Sequence, residues 1–309
     1  MIPSSEEDRA ARRARREARR AKQRAQNVVR AQAMHEARLE YEARDPPASA
    51  TRSATRAGKA RRKARPEAYV GCSGWYYWHW RDSFYPEGLP SSRWFGHYAS
   101  RFNTVELNAP FYSWPTLATV NTWNRQLGRR NFIYTLKVNE LITDTKRLAR
   151  TGTLVKDFGL IADLLGQRFG CFLFQLPPSF RYSAAALKRI VKQLDPRRRN
   201  VVEFRHPSWW NEKVYRAFRD TNTIFCSTSG PRLPDELVKT ADDVYIRFHG
   251  TRQWYRHDYS KEERGARRVE CAHPRKRRRA GLGLLQQRPR RLCHQERARA
   301  RPPVEALMR

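Results

Sequence analysis

Two stretches of the chain have almost no aromatic residues. Residues 1–66 contain only Tyr41 and residues 261–309 contain none, although the 309-residue chain has 9 Trp, 13 Tyr and 14 Phe. Both stretches are strongly basic, with 19 Lys and Arg against 8 Asp and Glu in the first and 16 against 5 in the second. Segments with so little apolar surface do not offset the entropy lost on ordering. The sequence therefore predicts a packed core within residues 67–260.

Long apolar runs are also absent. No run approaches the roughly 18 residues that a membrane span needs, and the first twenty residues are charged where a secretory signal would be apolar. The five cysteines, Cys72, Cys171, Cys226, Cys271 and Cys293, form no CxxC pair. The first three lie in apolar, strand-like runs, which is typical of buried reduced thiols. These features favour a cytoplasmic protein with no membrane partner.

The basic N-terminal arm, residues 1–66, is predicted to be a solvated helix followed by a disordered linker. The few apolar residues of 4–44 form no continuous stripe, so this helix has no obvious face to bury. The arm would attract nucleic acid through phosphate contacts, but no aromatic residue interleaves with the charge to stack bases. We therefore favour a solvated tail, or a stretch translated from a misplaced start codon, which does not pack on the core.

Residues 67–260 alternate between short apolar runs and amphipathic stretches. The sequence predicts strands at 69–73, 104–107, 132–138, 171–175, 201–204, 223–227 and 244–249, and helices at 92–101, 118–126, 153–165, 184–194 and 212–219. This alternation is typical of parallel βαβ units, and seven strands are one short of a (β/α)8 barrel. A doubly wound open sheet is the alternative, although no GxGxxG or Walker loop follows any strand.

Polar side chains cluster where the predicted strands end. In a barrel these ends converge on one mouth, where active sites lie. A single Glu in such a run is as easily an ion-paired structural residue, but six of the seven strands end in polar groups, which favours a pocket. The residues are Ser73, Trp75, Glu106, Asn108, Lys137, Gln175, Glu203, Arg205, His206, Arg247 and His249.

Five motifs in this region resemble one known family. They are Gly71-Cys-Ser-Gly-Trp75, Phe102-Asn-Thr-Val-Glu-Leu-Asn108 with Phe111-Tyr112 after it, Phe174-Gln-Leu-Pro-Pro-Ser-Phe180, Glu203-Phe-Arg-His-Pro-Ser-Trp209 and Tyr245-Ile-Arg-Phe-His-Gly250. From Tyr69 to about Glu263 the chain resembles the YecE-like family, known as domain of unknown function 72. The resemblance implies an α/β, TIM-barrel-like (β/α)8 fold and no assigned reaction. It also adds Tyr112 to the residues expected to line the mouth.

The chain departs from that family in two places. Where the family usually reads Ile-Thr-His, this chain reads Ile142-Thr143-Asp144, which puts any role of that histidine in doubt. After Tyr259-Ser260 the family continues with a helix, a strand ending in Tyr-Phe-Asn-Asn-Asp and another helix. This chain instead turns to Arg, Pro and Gln.

The genetic code relates this tail to the family pattern. With suitable third bases, the codons for Leu284 to Pro289 read one nucleotide later encode Tyr-Phe-Asn-Asn-Asp-Arg. Reading on to Ala298 gives Gly-Gly-Tyr-Ala-Ile-Lys-Asn-Ala-Arg. We therefore predict a frameshift near residues 263–268, a barrel domain over 67–263 whose last strand and helix are missing, and a disordered, out-of-frame tail over 264–309. The basic run at 275–279 would then carry no function.

The mouth chemistry is compatible with several functions. The favoured one is binding of an anionic or sugar-phosphate-like small molecule, clamped by arginines and with a ring stacked on Trp75 and Tyr112. If the protein is an enzyme, we expect four catalytic residues: Glu106, Glu203, Lys137 and His249. We expect the ligand to be bound by Trp75, Asn108, Tyr112, Gln175, Arg205, His206 and Arg247.

Three alternatives stay open. One is nucleic-acid binding, to which the core contributes 28 basic against 17 acidic residues. Another is metal-assisted phosphodiester hydrolysis, for which two carboxylates and two imidazoles are few ligands. The third is an inactive, truncated gene product. The sequence predicts no metal site and identifies no cofactor.

Overall fold

The computed structural model describes residues 6–44 and 68–250. A long helix, α1 (Glu6–Arg44), precedes a curled sheet of six parallel strands that follow one another in chain order. The strands are β1 (Thr104–Leu107), β2 (Ile133–Lys137), β3 (Phe169–Gln175), β4 (Asn200–Glu203), β5 (Ile224–Ser229) and β6 (Tyr245–Phe248). Consecutive order confirms the TIM-barrel-like α/β fold, because a doubly wound sheet would reverse its strand order partway.

Helices lie before β1 and in the connections between the strands. They are α2 (Trp94–Ala99), α3 (Ala109–Tyr112), α4 (Leu117–Leu127), α5 (Gly152–Leu165), α6 (Ala184–Gln193) and α7 (Glu212–Asp220). Side chains of Thr116, Ser183 and Asn211 cap α4, α6 and α7 by accepting from a backbone N–H three residues later. Helices α4 and α5 end at Gly128 and Gly166, which have the positive φ that glycine adopts without strain.

Six of the seven predicted strands are present. The remaining one, residues 69–73, is not a strand, but its backbone runs beside β1, where the Glu106 N–H donates to the Cys72 carbonyl at 3.0 Å. Gly71 permits this approach, because a Cβ there would lie 2.0 Å from the Thr104 carbonyl oxygen. The segment therefore occupies the place of a first barrel strand without a full ladder.

Helix α1 packs on the barrel, so the prediction that the arm does not pack was wrong. Asn27, Ala31 and Met34 are buried on one face of the helix. The Asn27 side chain donates to the Tyr112 carbonyl at 3.1 Å and accepts from the Trp114 N–H at 2.9 Å. The buried face was not recognised because its members are an amide, a small residue and one methionine, which form no apolar stripe.

A buried carboxylate fixes the second half of α1. Asp157 of α5 accepts from Arg38 Nε at 2.7 Å and lies 2.9 Å from His35 Nδ1. Residues 6–22, in contrast, are exposed. The predicted linker at 45–65 and the predicted tail at 264–309 lie outside the described residues.

The three described cysteines match their prediction. Cys72, Cys171 and Cys226 are buried and form no disulfide, and burial raises the pKa of the Cys171 thiol to about 12. Cys271 and Cys293 lie outside the part that the structure describes. Within that part, none of the helices combines the length and the apolar character needed to cross a bilayer.

Candidate functional site at the mouth of the sheet

Strand alternation builds the site, because every second residue of a strand faces the same side of the sheet. On the inner face, Cys171, Leu173, Val201 and Tyr245 belong to one small apolar cluster with Ile133, Ile224 and Cys226. Nearer the carboxyl ends of the strands, the inner face carries polar residues. These are Glu106 on β1, Lys137 on β2, Gln175 on β3, Glu203 on β4 and Arg247 on β6.

Arg247 joins two buried carboxylates. Its Nη2 donates to Glu106 Oε1 at 2.7 Å, and its Nη1 is paired with Glu203 Oε2. Glu106 also accepts from Ser73 Oγ at 2.8 Å and from Tyr245 OH at 2.9 Å. Arg247 is 2% exposed and both carboxylates are fully buried. This guanidinium is therefore enclosed by carboxylates.

Glu203 has a second cationic partner, Arg205. Arg205 Nε is paired with Glu203 Oε1, and its Nη2 donates to Gln175 Oε1 at 3.3 Å. His249 Nε2 lies 2.9 Å from the same Nη2. Because a guanidinium only donates, His249 Nε2 is the acceptor in that contact. Gln175 Oε1 also accepts from Arg247 Nη1 at 3.2 Å, which links the two arginines.

These contacts determine the charge state of the cluster. Burial alone would raise the pKa of Glu203, but Arg205 and Arg247 outweigh burial and hold that pKa well below its usual range. Burial, reinforced by Arg247, lowers the pKa of His249 to about 3. The carboxylate is therefore ionised and the imidazole is neutral at pH 7.

Lys137 differs from the other cations of the cluster. It is 7% exposed, and its Nζ lies 3.8 Å from the centroid of the Phe111 ring. Among the described residues it makes no ion pair and no hydrogen bond through Nζ. Burial, followed by repulsion from Arg247, lowers its pKa to about 8. With Lys137 protonated, three cations (Lys137, Arg205 and Arg247) face the two strand carboxylates, Glu106 and Glu203.

The turn after β2 adds a further carboxyl group. Leu141–Thr145 forms a π-helical turn that carries Asp144, the residue that replaces the histidine of the resembled family. Asp144 Oδ2 accepts from Thr143 Oγ1 at 3.0 Å. Burial raises the pKa of Asp144, and Lys137 is among the charges that oppose this rise.

The structure brings together seven of the eleven predicted site residues. They are Glu106, Lys137, Gln175, Glu203, Arg205, Arg247 and His249. Asn108 lies beside them, because its Nδ2 donates to the Ser73 carbonyl at 3.2 Å. Tyr245 and Phe111 were not predicted as members of the site. Tyr245 had a signal in the sequence, since it precedes Arg247 by two residues on the same strand face.

The contacts of the other three predicted residues lie elsewhere. The Trp75 ring packs on Phe95 of α2, with 4.8 Å between centroids. Tyr112 is 59% exposed, and its ring meets Phe111 edge-on. His206 Nδ1 lies 2.8 Å from Ser208 Oγ, at the start of the 3-10 turn Pro207–Trp209. No contact between described residues joins Trp75 to Tyr112 as a stacking pair.

Two open cavities lie away from this cluster. One, of about 540 Å³, is lined by residues of α2 and α4 together with Leu89. The other, of about 190 Å³, lies before β4 and β5, near Arg198 and Asp243. In residues 6–44 and 68–250, no group of three or more His, Cys, Asp or Glu side chains is placed to hold a metal ion.

The fold and the cluster define a TIM-barrel-like α/β protein with buried ionic groups at the carboxyl ends of its strands. The sequence model of the family "Protein of unknown function DUF72" matches residues 69–282, and the chain belongs to this family. This match extends beyond Glu263, near which the resemblance based on the sequence motifs ended. A comparison with curated proteins finds no match.

Solved structures of the same family resemble the chain. A DUF72 family protein from Thermotoga maritima is 25% identical, with a TM-score of 0.64, and the alignment covers 73% of this chain and 94% of that one. A DUF72 family protein from Enterococcus faecalis is 16% identical, with a TM-score of 0.57, and the alignment covers 76% and 95% of the two chains. The second likeness supports the fold alone.

Proposed function

We propose that the mouth of the sheet binds a small anionic molecule of the sugar-phosphate type, and that Lys137 is the cation that meets it. The observation that carries this proposal is that Lys137 Nζ has no ion pair or hydrogen bond with residues 6–44 or 68–250, where it lies against the Phe111 ring. Glu106 and Glu203 are, in contrast, already bound to arginine. A ligand oxyanion supplies the missing partner, and charge-assisted hydrogen bonds of this kind are strong at buried sites.

The two arginines have different parts in this proposal. Arg247 holds Glu106 and Glu203 together, so it supports the site rather than facing the ligand. The side chain of Arg205 is more accessible, at 10%, and it provides a second donor at the edge of the cluster. Glu106, Glu203 and His249 stay candidates for catalytic residues, and the proposal assigns no reaction to them.

Calorimetric titration of the full chain with inorganic phosphate tests the proposal. Removing a charged partner from a buried hydrogen bond costs about 1.5–3 kcal/mol, so Lys137→Met should weaken phosphate binding about tenfold or more. Lys188→Met is the matched control, because Lys188 is exposed on α6 and its loss should leave the affinity unchanged. Equal affinities of the wild type and Lys137→Met would contradict the proposal.

A second candidate is nucleic-acid binding through α1. Residues 9–24 contain nine Lys and Arg and one Glu, and residues 9–22 are exposed. Arg24 lies 3.7 Å from Glu140, directly before the turn that carries Asp144, so the basic half of the helix begins beside the mouth. A row of exposed cations that starts there supports this candidate, because such cations bind a phosphate backbone.

The salt dependence of binding to a single-stranded oligonucleotide tests this candidate. Each phosphate contact that is lost reduces the slope of log K against log salt by about 0.7 for a single strand. Replacing Arg12, Arg15, Arg16 and Arg19 by Gln should therefore lower the slope by about 2–3. An unchanged slope would remove α1 as the binding surface.

A further inference from the structure

We propose that Lys137 is a nucleophile that forms a Schiff base with a carbonyl group of the bound ligand. This inference rests on the proposed function and narrows its substrate class to an aldehyde or ketone that carries an anionic group. Lysine amines react in this way when burial or neighbouring cations keep them neutral. The position at the end of a strand in a barrel-like sheet is also where reacting groups lie in this type of fold.

The placement of Lys137 distinguishes it from a structural lysine. Lysine is almost never fully buried unless it is paired, and a buried unpaired charge is costly. Lys137 is nevertheless buried without an ion pair or a hydrogen bond among the described residues, with its Nζ against the Phe111 ring. The two carboxylates on the same face of the sheet are each held by arginine. The Lys137 amine therefore has the environment expected of a reactive group.

Burial and the neighbouring arginines also favour the neutral form of Lys137. Burial is the largest influence on Lys137, and Arg247 and Arg205 add repulsion. Glu203 and Glu106 oppose these effects, as does Asp144 from the turn after β2. The net result is a pKa of about 8, well below the ordinary value of about 10.4. Near pH 8, about half of the Lys137 side chains therefore carry a free lone pair.

The chemical step balances without an added oxidant or reductant. Neutral Nζ donates its lone pair to the carbonyl carbon, and the electrons of the C=O π bond move to oxygen, which takes up a proton. The nitrogen releases a proton to solvent, which gives a neutral carbinolamine with its lone pair restored. The carbinolamine hydroxyl group then takes up a second proton and leaves as water. The nitrogen lone pair then forms the C=N bond, which leaves a protonated imine on Lys137. Solvent supplies and accepts the protons.

Reductive trapping on the full chain tests the inference. The chain is incubated with glyceraldehyde 3-phosphate or with glyceraldehyde in the presence of cyanoborohydride, which converts an imine into a stable secondary amine. Peptide mass spectrometry then compares the labelling rates of Lys137 and the exposed Lys188. We expect Lys137 to be labelled at least tenfold faster, with a rate that rises to a midpoint near pH 8. Lys137→Arg removes the amine while keeping a cation, so the fast-labelled peptide should be absent from this variant.

The outcomes separate the two proposals. If phosphate binds but neither aldehyde labels Lys137 faster than Lys188, the Schiff-base inference is overturned and the proposed function stands. If glyceraldehyde labels Lys137 selectively while phosphate fails to bind, the nucleophile is supported and the proposed function is lost. If the wild type binds phosphate and its Lys137 is labelled at least tenfold faster than Lys188, both are supported. The decisive labelling is measured on the wild type, so a folding defect of the variant does not affect it.

Discussion

Arg247 shows how one residue makes the site possible. Glu106 and Glu203 are both fully buried, and two such carboxylates would oppose each other's ionisation. The guanidinium between them presents one nitrogen to each carboxylate. Loss of Arg247 would leave a buried carboxylate without a compensating charge, so Arg247 contributes strongly to the stability of the fold.

We expect Arg247→Met to lower the free energy of unfolding by about 3–5 kcal/mol, as for other buried ion pairs that lose one partner. Urea denaturation of the full chain measures this loss. Arg216→Met is the control, because Arg216 is exposed on α7 and surface substitutions usually stay within about 0.5 kcal/mol. A loss below about 1 kcal/mol for Arg247→Met would show that the carboxylates do not depend on it.

His249 makes stability depend on pH. Its pKa is about 3 in the folded chain and about 6.5 when unfolded, so below pH 6.5 the unfolded chain binds the additional proton. The stabilisation that depends on neutral His249 is therefore complete above pH 6.5 and is lost as pH falls towards 3. Over this range the free energy of unfolding changes by up to about 1.4 kcal/mol per pH unit. Glu203 acts in the same direction only below its unfolded pKa of about 4.3.

Urea denaturation of the wild type and His249→Gln between pH 5 and pH 8 isolates this effect. The wild type should lose stability below pH 6.5 more steeply than the variant. Above pH 7 the difference between the two proteins should not change with pH, which serves as the internal control. Parallel curves over the whole range would contradict the burial of a neutral His249.

At the scale of elements, α1 is held by a few specific contacts. The buried face of Asn27, Ala31 and Met34 packs beside Tyr112–Trp114, and Asp157 anchors the next turns. We expect Met34→Ala to release the helix, because truncating a buried Met costs about 2–5 kcal/mol. Amide exchange in α1 should then increase while exchange in β3 and β4 stays slow. Leu39→Ala, at a position 49% exposed, should leave α1 protected.

The elements of the barrel were predictable because their signals are local. The run 171–175 carries two phenylalanines, and 201–204 carries two valines and a phenylalanine, residue types that favour strands. The polar residues Gln175 and Glu203, at or next to the ends of these runs, are also visible in the sequence. The packing of α1 had no such signal, because an amide that binds the backbone at Tyr112 and Trp114 looks like any exposed polar residue. The ring contacts of Trp75 with Phe95 and of Tyr112 with Phe111 likewise had no signal in the sequence.

For the whole molecule, the described sheet is open between its first and last strands. The segment 69–73 lies beside β1, and β6 pairs with β5 on one side. Closing a barrel requires a further strand that pairs with both ends. The sequence predicts that a frameshift near residues 263–268 removes this strand. Because exposed strand edges promote aggregation, this prediction also implies that a chain lacking the strand aggregates more readily.

A version of the protein whose reading frame is corrected by one nucleotide tests this prediction. A restored eighth strand would pair with β6 on the side away from β5 and bury apolar surface where the described sheet is open. The corrected chain should therefore melt higher by at least about 5 °C, equivalent to about 1.5–2 kcal/mol at this size. Amide exchange over residues 244–249 should slow in the corrected chain, while β3 and β4, inside the sheet in both versions, serve as the control. Equal melting temperatures and equal protection of 244–249 would show that the present tail closes the sheet as well as the family strand does, and would contradict the frameshift.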